Sequence, residues 1–192
     1  MKLHLSVRRL LAVALVGAAS AVTPAQAGSF SAVFFLGDSV SDSGNVALAI
    51  GHPLGVPQQV SDNAYIPSYP YFPSGRFSNG RVWAEVYAEK LGVPALPSLL
   101  GGTDFAWAGA RTGGADVPVD TLTTQAGRLI TAGGGRVPAD ALVVVAEVGN
   151  DARDALVAIA SGAEAGKAIR AASTAYANNL GHIVATLRQA GA

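Results

Sequence analysis

The chain contains no cysteine. That excludes a thiol nucleophile, a Cys-ligated metal centre and any disulfide, so the fold must hold itself together by packing. Charge is sparse as well: 14% of the 192 residues are charged against 50% apolar, with thirteen of each sign. Such a chain offers no basic surface for nucleic acid and no polybasic patch for an anionic membrane. Its apolar content also excludes disorder. Histidine is scarce, at His4, His52 and His182 only. The glycine-rich region 101–114 lacks the G-x-G-x-x-G spacing, which sets aside a dinucleotide fingerprint there.

The first 27 residues read as a secretory leader. Lys2, Arg8 and Arg9 make a basic start, residues 10–22 are mainly apolar, and Thr23-Pro24-Ala25-Gln26-Ala27 ends in a small-x-small cleavage pattern. The apolar run is shorter than the ~20 residues a spanning helix needs, so no membrane span is expected after processing. Cleavage after Ala27 would leave residues 28–192 as one exported domain, periplasmic or extracellular, with a formal charge of −3. The Arg8-Arg9 pair allows a twin-arginine route.

What is present is organised around one stretch. The apolar run Ala32-Val33-Phe34-Phe35-Leu36 predicts a strand buried on both faces. It delivers Gly37-Asp38-Ser39-Val40-Ser41-Asp42-Ser43-Gly44-Asn45 to the carboxyl edge of a sheet, where open α/β sheets place their ligands. Gly37 permits the turn, and Gly44-Asn45 is a further turn or helix-start signal. Alone, Gly-Asp-Ser is equally an ordinary polar turn. It is not a G-x-S-x-G elbow, because position 41 is Ser.

Residues 51–73 are rich in Pro and Tyr and predict a long surface loop, either a cleft wall or a packed loop whose Tyr65, Tyr69 and Tyr71 cover core. His52 lies in it with no acid nearby in sequence. Ser78 or Asn79 is expected to cap a helix running to Leu91, with Trp83, Val86, Tyr87 and Leu91 on one face and Gly92 and Pro94 as the stop. Residues 103–110 read as a short strand entering a Gly-rich turn. Leu122, Ala126, Leu129 and Ile130 mark a core-facing helix closed by Gly133-Gly134-Gly135. Residues 141–146 form a second buried strand, which would bring Glu147-Val148-Gly149-Asn150-Asp151 to the edge that carries Ser39. Asn150-Asp151 could equally cap a helix. Residues 153–160 and 168–190 predict Ala-rich helices, the second with an apolar stripe from Ile169 to Leu187 and His182 beside it. Strand and helix alternate without an internal repeat, which argues for an α/β fold with a parallel sheet.

Four of these segments resemble, in order, motifs of the GDSL/SGNH hydrolase family, the GDSL-like lipases and acylhydrolases. Residues 37–45 resemble its first motif, whose nucleophile is the serine matching Ser39. Gly75-Arg76-Phe77-Ser78-Asn79-Gly80-Arg81-Val82-Trp83 is similar to a segment of the larger GDSL lipases. Gly109 matches a glycine whose N–H points into the oxyanion hole. Asp104 stands where the family has Asn, and Ala108 where it has Gly. Asn150-Asp151 fits the Gly-x-Asn-Asp motif, with Val148 at the first Gly position.

The resemblance implies a three-layer α/β/α sandwich around a parallel, flavodoxin-like sheet. It implies a secreted serine esterase or lipase acting on a small-molecule or lipid ester, with no metal or cofactor. Ser39 would be the nucleophile, and the oxyanion would be held by the N–H groups of Ser39 and Gly109 and the Asn150 amide. The family takes its base from a C-terminal Asp-x-x-His, whereas the three histidines here follow Met1, Ala49 and Asn179 at that spacing. The expectation is therefore a C-terminally truncated hydrolase domain over residues 28–192. The last two strands of the 2-1-3-4-5 order would be absent and residues 141–146 left as an apolar edge. A non-catalytic, exported ester- or glycan-binding remnant is the alternative. Asp38 and Asp42 as metal or phosphoryl-transfer ligands is a third reading, without partner ligands at suitable spacing.

Overall fold

The computed structural model describes residues 30–51, 75–78, 80–114, 119–147 and 149–192. The leader and nearly all of the Pro/Tyr-rich passage, with His4 and His52, lie outside them. β1 (Val33–Gly37) and β2 (Leu142–Ala146) pair in parallel, from Val33 opposite Leu142 to Gly37 opposite Ala146. Parallel neighbours need a crossover. Here it carries α1 (Asn45–Ala49), α2 (Trp83–Lys90), a 3-10 turn (Ser98–Leu100) and α3 (Leu122–Ala132). After β2 come α4 (Gly149–Ala160) and α5 (Ala165–Gln189). On the other side of β1, Phe35 donates its N–H to the Thr103 carbonyl at 3.1 Å and accepts the Phe105 N–H at 2.8 Å. The strand expected over 103–110 is thus reduced to Asp104, which makes isolated parallel bridges to Phe35 and to Pro97.

The pleat sorts the apolar side chains onto two faces. Leu36 packs with Phe105, Leu122, Leu129, Ile183 and Leu187, and Phe34, Val143 and Val145 join that cluster. Val33 and Phe35 face the other way, onto Val82, Ala84, Ala88 and Ala95, with Leu142 and Val144 beside them. Helices α3 and α5 therefore cover one face of the sheet and α2 the other. This is the α/β layering with a parallel sheet that the sequence predicts.

Several local expectations are corrected. β2 is only half-buried along its length, because β1 is its one strand partner among the described residues. Helix α2 docks through Ala84 and Ala88, whose small side chains let its backbone approach the sheet. Trp83, Val86, Tyr87 and Leu91 stay about 40% exposed, although Trp83 and Tyr87 set their edges against Phe35 at ring distances of 5.5 and 6.4 Å. Its cap is Glu85, which accepts the Val82 N–H at 2.9 Å and forms a bidentate pair with Arg76. Ser78 instead accepts the Gly80 N–H, and Asn79 lies outside the described residues. Helix α4 begins at Gly149, so Asn150 and Asp151 belong to its first turn. Helix α5 begins at Ala165, where Glu164 accepts the N–H groups of Gly166 and Lys167. No helix among the described residues is long and apolar enough to cross a membrane.

One buried polar residue completes the sheet end. Gln125 of α3 is fully buried; its Oε1 accepts the Gly37 N–H at 2.8 Å and its Nε2 donates to the Gly37 carbonyl at 2.9 Å. It acts as a side-chain strand partner for the residue that opens the serine loop. Gln125→Ala strands the Gly37 N–H in the core and is expected to cost about 3 kcal/mol, read from the urea midpoint. A loss under about 0.5 kcal/mol would contradict this role.

Candidate active site

The loop after β1 is built by three buried acids and one amide. Gly37 has to be glycine, since a Cβ there would lie 2.8 Å from Ser41 Oγ and 2.9 Å from the Ala146 carbonyl. The Asp38 carbonyl then accepts the N–H groups of Ser41 and Asp42, and its Oδ1 accepts that of Val40. Asp42 turns inward and accepts four backbone N–H groups: Gly44, Asn45, Val46 and, 66 residues away, Ala108. Asp104 accepts the N–H groups of Ser43 and Ala106 at 2.8 and 2.9 Å. The fully buried Asn45 donates to the carbonyls of Asp104 and Ala106 and accepts from Ser98 Oγ and the Leu99 N–H. Trp107 closes the seam by donating to the Gly37 carbonyl at 3.0 Å.

This network leaves two amides over. From 39 to 46, every N–H except that of Ser39 has an acceptor. From 104 to 110, every N–H except that of Gly109 has one. Neither exception finds an acceptor among the described residues, and Ser39 Oγ likewise makes no hydrogen bond there. Gly109 is buried with φ 85°, a left-handed conformation that side-chain-bearing residues avoid. Buried N–H groups without an acceptor are rare and call for an explanation.

Helix α4 is fastened to the same turn. Asn150 Nδ2 donates to the Ala110 carbonyl at 2.7 Å, Asp151 accepts the Thr112 N–H and hydroxyl, and Arg111 makes a bidentate pair with Asp154 while also donating to the Gly109 carbonyl. A Cβ on Gly149 would come within 3.8 Å of Asp38 Oδ2. The segments bearing Ser39, Gly109 and Asn150 are thus gathered at one sheet edge: Trp107 bonds to Gly37, Ala108 to Asp42, and Asn150 itself to Ala110. One N–H of the Asn150 amide is used on Ala110; the other has no acceptor among the described residues. His182 is exposed on α5 and makes no hydrogen bond or ion pair there.

The edge is rich in acids held in unusual states. Burial raises Asp38 above its ordinary value, against the pull of the Val40 N–H. It drives Asp42 up to about 6, against the pull of its four N–H donors, and Asp104 up to about 7. Glu147, the residue after β2, is pushed up to about 8, first by burial and then by the carboxyls of Asp151 and Asp38. The oxygens of Asp42 are fully engaged by backbone, and no group of three or more His, Cys, Asp or Glu suited to a metal occurs among the described residues. Sequence reasoning missed Gln125, Asn45 and Glu147. Asn45 was visible only as a turn or helix-start signal and Glu147 only as part of the stretch delivered by the second strand, while Gln125 gave no signal.

Taken together, the fold and site define an α/β protein with a serine loop and two spare backbone donors at the carboxyl edge of a parallel sheet. The chain belongs to the GDSL-like Lipase/Acylhydrolase family, which it matches over residues 33–191. It is similar to the Arabidopsis thaliana protein GDSL esterase/lipase At1g28570, at 37% identity over 93 residues, which is 44% of this chain and 23% of that protein. GDSL esterase/lipase At3g09930 of the same plant is 31% identical over 62% of this chain and 37% of its own length. Acetylajmalan esterase 2 of Rauvolfia serpentina is 34% identical over 42% of this chain and 24% of its own length. The aligned portion is therefore between 23% and 37% of each of these relatives.

The environment of Asp104 predicts a specific pH signature. Its carboxyl is raised from 3.8 to about 7 in the fold, so its contribution to stability is complete below pH 3.8 and is lost as pH rises through 7. Asn is isosteric with the protonated acid. The stability of Asp104→Asn relative to the parent should therefore climb between about pH 4 and 7, by roughly 2–4 kcal/mol, and level off above. Urea midpoints that stay parallel across this range would contradict it.

Proposed function

We propose that this chain carries the nucleophile and oxyanion hole of a serine ester hydrolase. Ser39 is the nucleophile, and the N–H groups of Ser39 and Gly109 and the Asn150 amide receive the oxyanion. The observation that supports this most is the pair of leftover amides, in two runs where every other N–H is paired. Donors held ready by a rigid frame are what a tetrahedral intermediate requires, because they need no reorganisation as charge develops. Ser39 Oγ attacks the ester carbonyl, its proton passes to a base, the alcohol leaves, and water then releases the acid from the acyl-serine. Asp42 and Asp104 act on the frame and not on the substrate.

In this reading the substrate is a small-molecule or lipid ester, as the esterase names of the relatives suggest, and the protein is exported with residues 1–27 removed. In this reading an imidazole takes the Ser39 proton; His182, the one histidine among the described residues, is exposed on α5 and makes no hydrogen bond to Ser39. A second reading, binding of an ester or glycan without turnover, is favoured by one observation: among the described residues no imidazole touches Ser39.

Diethyl p-nitrophenyl phosphate distinguishes the two, since Ser39 Oγ forms the P–O bond as nitrophenolate leaves. The hydrolase reading expects a stoichiometric burst that Ser39→Ala abolishes and Asn150→Ala slows by about 10²–10³. Saturable binding of an aryl ester that survives Ser39→Ala, with no burst from either protein, establishes the binding module instead. A burst unaffected by Ser39→Ala removes Ser39 from the reaction.

A further inference from the structure

The mechanism above makes no use of Glu147, an acid at the sheet edge pushed up to about 8. Glu147 is buried where β2 ends and α4 begins. Its Oε1 accepts the Asn150 N–H at 2.8 Å, while its Oε2 is buried with no partner among the described residues. Its carbonyl accepts the Tyr176 hydroxyl of α5 at 2.7 Å, which ties the same residue to the opposite helix. The groups that face its carboxyl are acids: Asp151 on α4 and Asp38 at the end of β1. Asp151 already accepts two hydrogen bonds from Thr112, and Arg111 is engaged with Asp154 and the Gly109 carbonyl.

We infer that Glu147 is the positioning residue for Asn150: it accepts the Asn150 N–H on Oε1 while holding a proton that it donates towards Asp151. This rests on the reading of Asn150 as an oxyanion donor. A buried oxygen with no donor, set beside acceptors of the same charge, is costly; one proton turns it into a donor and removes the repulsion together. Burial, Asp151 and Asp38 push Glu147 up to about 8 in spite of the Asn150 N–H, which pulls the other way. The acid is thus neutral at pH 7, with the first turn of α4 drawn between Glu147 and Thr112. Above pH 8 the ionised carboxyl meets Asp151 and Asp38 as a third negative charge. The first turn, with Asn150 in it, then moves off the Ala110 carbonyl. Tyr176 titrates higher still, its hydroxyl raised by burial and by Glu147 and Asp151, so it does not carry this transition.

The test follows the Asn150 backbone and side-chain amide signals in ¹⁵N-labelled protein between pH 5 and 9.5, in the parent chain and in Glu147→Gln. Gln keeps the acceptor and replaces the acid proton with an amide donor that never titrates. The parent signals are expected to shift with a midpoint near 8, and the variant signals to stay in place. In parallel, the Ser39 phosphorylation rate of Glu147→Gln relative to the parent should rise about tenfold between pH 6.5 and 9, as a single ionisation requires. Parent signals that titrate near 4.5, or variant signals that titrate like the parent's, overturn the inference. Asn150 signals that behave as expected while neither protein is ever phosphorylated uphold the role of Glu147 and remove the hydrolase reading.

Discussion

A buried carboxyl that accepts backbone N–H groups from two distant stretches is the constraint on which the rest of this site depends. Asp42 caps the start of α1 and in the same geometry reaches Ala108. The serine loop and the glycine turn are thereby locked to each other. Burying the group raises its ionisation to about 6, a cost that only a dense set of donors offsets. Asp104 and Asn45 repeat the device at either side, and Gln125 anchors its root at Gly37. The outcome is a rigid frame in which the backbone N–H groups of residues 39–46 and 104–110 are paired except where the substrate oxygen is proposed to sit.

The second strand plays a corresponding part. Because Gly37 lies opposite Ala146, whatever follows β2 must leave the sheet beside the serine loop. The acid and amide after β2 therefore reach the site by register alone. Helix α4 carries no buried residue, so its orientation comes from polar fastenings to residues 110–112 and from its packing on α5. A helix held mainly by charged and amide contacts is the element most open to control by ionisation at its first turn.

Much of the architecture was legible from hydrophobic pattern. Both strands lie where the apolar runs put them, and the alternation of Phe34 and Leu36 against Val33 and Phe35 divides the two faces. The apolar stripe of α3 also faces the core. What periodicity hides is polarity inside. Gln125 shares that stripe yet works as a hydrogen-bond partner, and Asn45 reads as a turn residue until its four contacts are seen. Helix α2 misleads for the opposite reason: its large residues suggest the buried face, but the close approach to the sheet is made by Ala84 and Ala88. The serine, glycine and amide positions were visible as motifs. Their N–H groups were expected as donors only through the family resemblance; that the surrounding network leaves the Ser39 and Gly109 N–H groups without acceptors is a property of everything around them.

The central claim is that one ligand oxygen accepts from Ser39, Gly109 and Asn150 at once. The most direct measurement is a crystal structure of the protein carrying a phosphonyl group on Ser39 Oγ. The account predicts a phosphonyl oxygen within about 2.7–3.1 Å of all three nitrogens. An adduct whose oxygen points to solvent, or meets only one of them, would contradict it.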